Sequence, residues 1–141
     1  MADIRAGLDW LRTQKEVDKE RLITWGYCWG GAMALRGADR IPGISATVVW
    51  HGMLKGEELE EMDRAKGPIL GLFGGADEMI SPEDVRALQE RCAAADVETD
   101  FHIFPDAPHS FCDHTRPQSF RRDACEHAWG EVDRFIRGRL I

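Results

Sequence analysis

Short runs of β-branched and aromatic residues alternate along this chain with segments of helical periodicity, and no other feature restricts its fold as much. Residues 21–27, 46–50, 68–73 and 99–104 read as four strands bounded by glycine, proline or aspartate. Between and around them lie helical patterns. Ile4, Leu8 and Leu11 fall at helical spacing, so residues 3–16 read as an opening helix. Residues 29–37 are small and apolar, the composition of a helix packed tightly on a sheet, and the acidic segment 57–66 reads as a surface helix. Ser81 as N-cap, Pro82 at the first helical position and Asp84 completing a capping box start another helix, whose inward face is Val85, Leu88 and Cys92. The last helix carries Phe120, Ala124, Ala128, Trp129, Val132, Phe135 and Ile136 on one stripe. Strands separated by helices pair in parallel through right-handed crossovers, so the expected fold is a three-layer α/β/α sandwich on about four parallel strands.

The chain has 141 residues, which suits one domain, and neither a repeat nor a long linker divides residues 1–141. Eighteen Lys+Arg against 25 Asp+Glu give a formal charge of −7, with no basic block. Such a chain matches phosphate backbones poorly, and nucleic acid is not an expected partner. No apolar run reaches the ~18 residues of a membrane span, and the first residues lack the apolar core of a signal peptide. Four cysteines (28, 92, 112 and 125) without a CxxC pair do not resemble a secreted disulfide framework. The expectation is a reduced, cytoplasmic protein without a membrane partner.

In parallel sheets the sites lie at the carboxyl ends of the strands, and three of the four ends carry reactive chemistry. After the first comes Gly26-Tyr27-Cys28-Trp29-Gly30-Gly31, a G-x-C-x-G-G turn into a small-residue helix. A nucleophile on a sharp strand-to-helix turn needs flanking glycines, because the neighbouring backbones approach too closely for side chains. The sulfur would sit at a helix N-terminus, where orphan N–H groups and the dipole favour a thiolate, and the Trp29 N–H would face a developing oxyanion. After the third strand, Gly74-Gly75-Ala76-Asp77 offers a carboxylate that can orient an imidazole. After the fourth, Pro105 and Pro108 stiffen a loop that holds His109, and rigidity is what a general base needs. Each has a plainer reading: Cys28 as a small buried hydrophobe, Asp77 as an ordinary turn residue, His109 as a surface histidine. Their order along successive strand ends, nucleophile then acid then histidine, is that of a hydrolytic triad.

His51, after the second strand, and Phe111, after His109, are expected to line the same cleft as substrate-binding residues. His102 lies within a strand and reads as structural. Cys112 with His114, and Cys125 with His127, form two C-x-H pairs, but Cys125 falls on the helix stripe and His127 off it, so a shared zinc site is not expected. Cys92 reads as core; Trp10, Trp25, Trp50 and Trp129 read as core or interface.

The three motifs resemble those of the dienelactone hydrolase family, small α/β-hydrolases with a Cys-Asp-His triad. Gly26 to Gly31 resembles the family's nucleophile turn, Gly74 to Asp77 with Ser81-Pro82 its acid loop, Phe104 to Phe111 its histidine loop, and residues 128–140 its closing helix. The resemblance implies that Cys28 is the nucleophile, His109 the base and Asp77 the orienting acid. Full members have further strands ahead of the part this chain resembles. Those segments supply a second oxyanion donor, a glutamate that holds the resting cysteine and a substrate-binding arginine. A further family arginine, shortly after His-Ser-Phe, is replaced here by Asp113, with Arg116 nearby.

The implied fold is thus a truncated α/β-hydrolase lobe in which strand 21–27, central in the family, lies at an edge with Leu22, Ile23 and Trp25 bare. Such an edge invites pairing, and a homodimer that covers it is expected, with antiparallel strands at a two-fold junction completing the sheet. The expected activity is hydrolysis of small carboxylic esters or lactones through a thioester acyl-enzyme, with neither metal nor organic cofactor. The alternatives are an inactive lobe used for binding or assembly, and a redox-sensing thiol at Cys28.

Overall fold

A computed structural model describes residues 1–56, 62 and 64–140. In chain order the elements are α1 (Ala2–Thr13), β1 (Ile23–Tyr27), α2 (Trp29–Arg40), β2 (Ala46–Trp50), β3 (Ile69–Gly74), α3 (Pro82–Ala94), β4 (Thr99–Phe104) and α4 (Arg122–Leu140). The four strands form one sheet in the order β1-β2-β3-β4, every neighbouring pair parallel. All four expected strands are present. The opening helix ends at Thr13, not residue 16, and α4 starts at Arg122, so Phe120 precedes it. Of the acidic segment 57–66, residues 57–61 and 63 lie outside the described residues, so the surface helix expected there goes undescribed.

Every residue of β2 and β3 is buried, as a parallel sheet covered on both faces requires. Alternation divides their side chains between two cores. Val49, Ile69 and Phe73 face one core with Leu35 of α2 and Val85, Leu88 and Cys92 of α3. Val48, Trp50, Leu70 and Leu72 face the other, closed by Ala128, Val132 and Phe135 of α4. A third cluster joins Leu8 of α1 to Leu22, Ile41 and Ile44. It buries Leu22, which therefore is not part of a bare edge; Ile23 and Trp25 are only half-buried. Nor is Trp10 core: it is 62% exposed, on the outer side of α1, and Trp129 is 47% exposed beside Trp25. His102 lies in β4, its Nε2 2.9 Å from Asp100.

The cysteines differ from expectation. Cys112 and Cys125 form a disulfide, their Cα atoms 5.0 Å apart. The chain after β4 curls back so that the Arg121 N–H donates to the Phe111 carbonyl at 2.9 Å, and that turn brings the start of α4 onto the histidine loop. Cys28 and Cys92 are free thiols. No helix among the described residues is long and apolar enough to cross a membrane.

Candidate active site

Strand ends set the site. At the carboxyl edge of the sheet each loop is tied to the next strand by a backbone hydrogen bond. The Cys28 N–H donates to the Trp50 carbonyl (2.9 Å), the His51 N–H to Leu72 (2.8 Å) and the Gly75 N–H to Phe104 (2.7 Å). The side chains that follow β1, β2, β3 and β4 are thereby held in one frame.

Cys28 has φ 53° and ψ −122°, a conformation that non-glycine residues rarely adopt, and it caps α2 directly. The turn closes so tightly that a Cβ on Gly26 would lie 1.9 Å from the Gly30 carbonyl oxygen, and one on Gly31 would lie 2.9 Å from the Gly52 Cα. Gly26 and Gly31 are thus the required glycines. Gly30 is not, since its missing Cβ points into open space. Of the four non-glycine residues with positive φ among the described residues, Cys28, His51 and Ser110 stand at these strand ends, so backbone strain is concentrated at one place.

The structure brings Cys28, Asp77 and His109 together. His109 Nδ1 is 2.6 Å from Asp77 Oδ2, and His109 Nε2 is 3.2 Å from the Cys28 sulfur. A carboxylate there can only accept, so Nδ1 carries the proton and Nε2 faces the thiol as acceptor. The other oxygen of Asp77 accepts from the N–H groups of Met79 (2.8 Å) and Ile80 (3.1 Å), which fixes the carboxylate. Asp77 is buried, while Cys28 and His109 reach partial exposure. A Cβ on Gly74 would lie 2.2 Å from the Ala107 carbonyl oxygen, so the acid loop and the histidine loop are packed backbone to backbone. Trp29 supplies the first N–H of α2, one of the helical donors without an intrahelical acceptor. Its indole is 74% exposed at the mouth of the cleft.

His51 lines that cleft, a space of about 300 Å³ it shares with Cys28, His109, Met53, Lys55 and Met79. Its ring is buried, edge-on to His109 with centroids 4.5 Å apart, and its Nδ1 has no hydrogen-bond partner. Burial and the neighbouring His109 push its pKa down to about 4, against a smaller opposing pull from Asp77. Phe111 is not in the cleft. It is fully buried on the α4 side of the sheet against Phe104 and Trp50, because the backbone after His109 turns the phenyl ring inward. Sequence reading missed Lys55, Met53 and Met79, which come from loops without periodicity. The Lys55 ammonium is held by Asp84 Oδ2 (2.9 Å) and the Met79 carbonyl (3.1 Å). Cys112 and Cys125, considered above as metal ligands, are bonded to each other.

The sequence model of the "Dienelactone hydrolase family" matches residues 1–139. A Methylorubrum extorquens protein provisionally named carboxymethylenebutenolidase is 32% identical over 97% of this chain and 50% of its own length. An Escherichia coli K12 protein with the same provisional name is 34% identical over 79% of this chain and 44% of its own. The chain spans about half the length of the curated relatives it matches. Among solved structures, a Klebsiella pneumoniae protein provisionally described as a dienelactone hydrolase superposes with a TM-score of 0.84 at 27% identity, covering 93% of this chain and 57% of that one. A dienelactone hydrolase-like promiscuous phosphotriesterase from metagenomic libraries gives 0.83 at 26% identity, over 95% and 59%.

Proposed function

This chain belongs to the dienelactone hydrolase family, and from that membership we propose that it hydrolyses carboxylic esters or lactones through Cys28, His109 and Asp77. The observation that carries the reading is the unbroken line from Asp77 through both nitrogens of His109 to the Cys28 sulfur, at 2.6 and 3.2 Å, opening on a cleft. The relatives' name points the same way, since a butenolide is an unsaturated lactone.

In this mechanism Nε2 of His109 takes the thiol proton as the sulfur attacks the carbonyl carbon, and negative charge moves to the carbonyl oxygen, toward the Trp29 N–H. Collapse breaks the bond to the alkoxide, which leaves with the proton from His109, and a thioester on Cys28 remains. A water, deprotonated by the same nitrogen, attacks that thioester and releases the acid; the sulfur recovers its proton. Asp77 keeps His109 in the tautomer that both steps need and stabilises the imidazolium between them. His51, neutral and buried, contributes a wall of the cleft against the substrate. No step needs a metal or an organic cofactor. The same proposal includes assembly: two copies pair along the outer edge of β1.

Hydrolysis of p-nitrophenyl acetate by wild type and Cys28→Ala tests the reading. Turnover is expected to fall about 10³-fold or more in the variant, with an acetyl group trapped on Cys28 in quenched wild-type enzyme. Equal rates in the two proteins would overturn it. A reversible sulfenate at Cys28 without ester turnover would instead make the thiol a redox sensor.

A further inference from the structure

Three ligand atoms converge in the cleft: the Cys28 sulfur and one ring nitrogen each from His51 and His109 all lie within 4.8 Å of one another. We propose that this trio binds a thiophilic divalent cation, of which Zn²⁺ is the best match, and that occupancy silences the enzyme by engaging its nucleophile and its base together.

The donor set selects the metal. One thiolate and two imidazoles are soft or borderline ligands, suited to Zn²⁺ and its neighbours and not to Mg²⁺ or Ca²⁺, which take oxygen. The spacing is close to what coordination needs. Zinc bonds of about 2.3 Å to sulfur and 2.0–2.1 Å to nitrogen, set tetrahedrally, put ligand atoms roughly 3.3–3.6 Å apart. Cys28 Sγ and His109 Nε2 already stand at 3.2 Å. The remaining closure, at most about 1.5 Å, falls on His51.

The outer supports are also in place. His109 is oriented by Asp77 through Nδ1, and Asp77 in turn by the Met79 and Ile80 amides, so the carboxylate–histidine–metal relay that tunes zinc ligands is present before any metal arrives. The second, independent observation is His51. The residue is only 5% exposed at the wall of the cleft, yet its Nδ1 has no partner in the protein. Hydrolysis as proposed above uses this ring as a wall and leaves its nitrogens without work; a cation would employ one of them. A fourth position faces the open cleft and suits a water molecule. Binding balances simply: the cation takes the sulfur as thiolate and one proton leaves to solvent, with no change of oxidation state. The cation is an inhibitor here and not a cofactor.

Uptake of metal is independent of the hydrolase reading, whereas the silencing rests on it, and the test separates the two. The full chain, kept free of reductant so that the Cys112–Cys125 disulfide stays closed, is titrated anaerobically with CoCl₂ and then ZnCl₂. One Co²⁺ per chain is expected, with a thiolate-to-cobalt charge-transfer band and the strong visible bands of a four-coordinate site, all displaced by Zn²⁺. Cys28→Ser should abolish the charge-transfer band. Asp77→Asn should weaken Zn²⁺ binding about 10–100-fold, the range for loss of an outer-shell carboxylate, and His51→Ala and His51→Gln at least as much, with unchanged circular dichroism. Ester turnover measured without metal, then with one equivalent of Zn²⁺, should be lost and be restored by a chelator. Binding without the sulfur band, or undiminished in both His51 variants, would place the metal elsewhere, such as the His102–Glu131–His127 group, and overturn the proposal. A cobalt–thiolate spectrum in a protein without metal-free turnover would leave the metal site standing and remove the hydrolase reading.

Discussion

His51 and Cys92 are two residues whose surroundings dictate how the protein responds to its solution. His51 is buried neutral among Cys28, Asp77, His109 and Tyr27, with its pKa pushed down to about 4 from 6.5. In the unfolded chain it gains a proton below about pH 6.5, while in the folded chain it does so only below about 4, so acid favours unfolding across that window. Stability should therefore fall as pH drops from about 6.5 to about 4, by about 3 kcal/mol from this residue, and then level off. Urea titrations at pH 7 and pH 4.5 check this, and His51→Gln should flatten the slope. Cys92 is fully buried on the inner face of α3 and burial pushes its thiol up to about 11. Iodoacetamide at neutral pH is thus expected to modify Cys28 and spare Cys92 in the native state, as peptide mass mapping would show. The tight turn at Cys28 was legible because Gly26 and Gly31 are dictated by backbone contact. The role of His51 was half legible: its place after β2 put it in the cleft, but its orphan nitrogen depends on a packing that no sequence spacing encodes.

The α3 helix was readable from its cap alone. Ser81 Oγ accepts from the Asp84 N–H at 3.1 Å, Asp84 Oδ2 accepts from the Ser81 N–H at 3.0 Å, and Pro82 fills the first turn. Ser81→Ala should cost about 1 kcal/mol in thermal or denaturant unfolding. The disulfide was not readable. Cys112 and Cys125 are 13 positions apart in the chain, and only the turn from Phe111 to Arg121 shows that they meet. Closing a loop of that length stabilises the fold by about 3 kcal/mol. Reduction, or Cys112→Ser with Cys125→Ser, should lower the denaturation midpoint accordingly. Phe111 shows the same limit in reverse, since a motif read from sequence places a residue on a loop but does not say which way its ring turns.

The whole sheet explains why most of the architecture could be anticipated. Four apolar runs separated by helices leave few topologies and call for parallel pairing through right-handed crossovers, while the order β1-β2-β3-β4 is visible only in the structure. That order leaves β1 with one partner, β2, among the described residues. Half-buried Ile23 and Trp25 and the exposed face of Tyr27 lie along it. Pairing of two copies there predicts a dimer of the 141-residue chain in light scattering at micromolar concentration, and Trp25→Arg should shift it toward monomer. A monomeric wild type would end that proposal.

The thiol and its imidazole are 81 residues apart in the chain, one after the first strand of the sheet and the other after the last. Their contact therefore cannot form in any partly folded state that lacks either edge, and loop-closure entropy makes it among the last to appear. Under the proposed mechanism, acylation of Cys28 by an ester at a rate above that of an unfolded thiol would accordingly act as a clock during refolding, because the acceleration begins only once both edges of the sheet are in place.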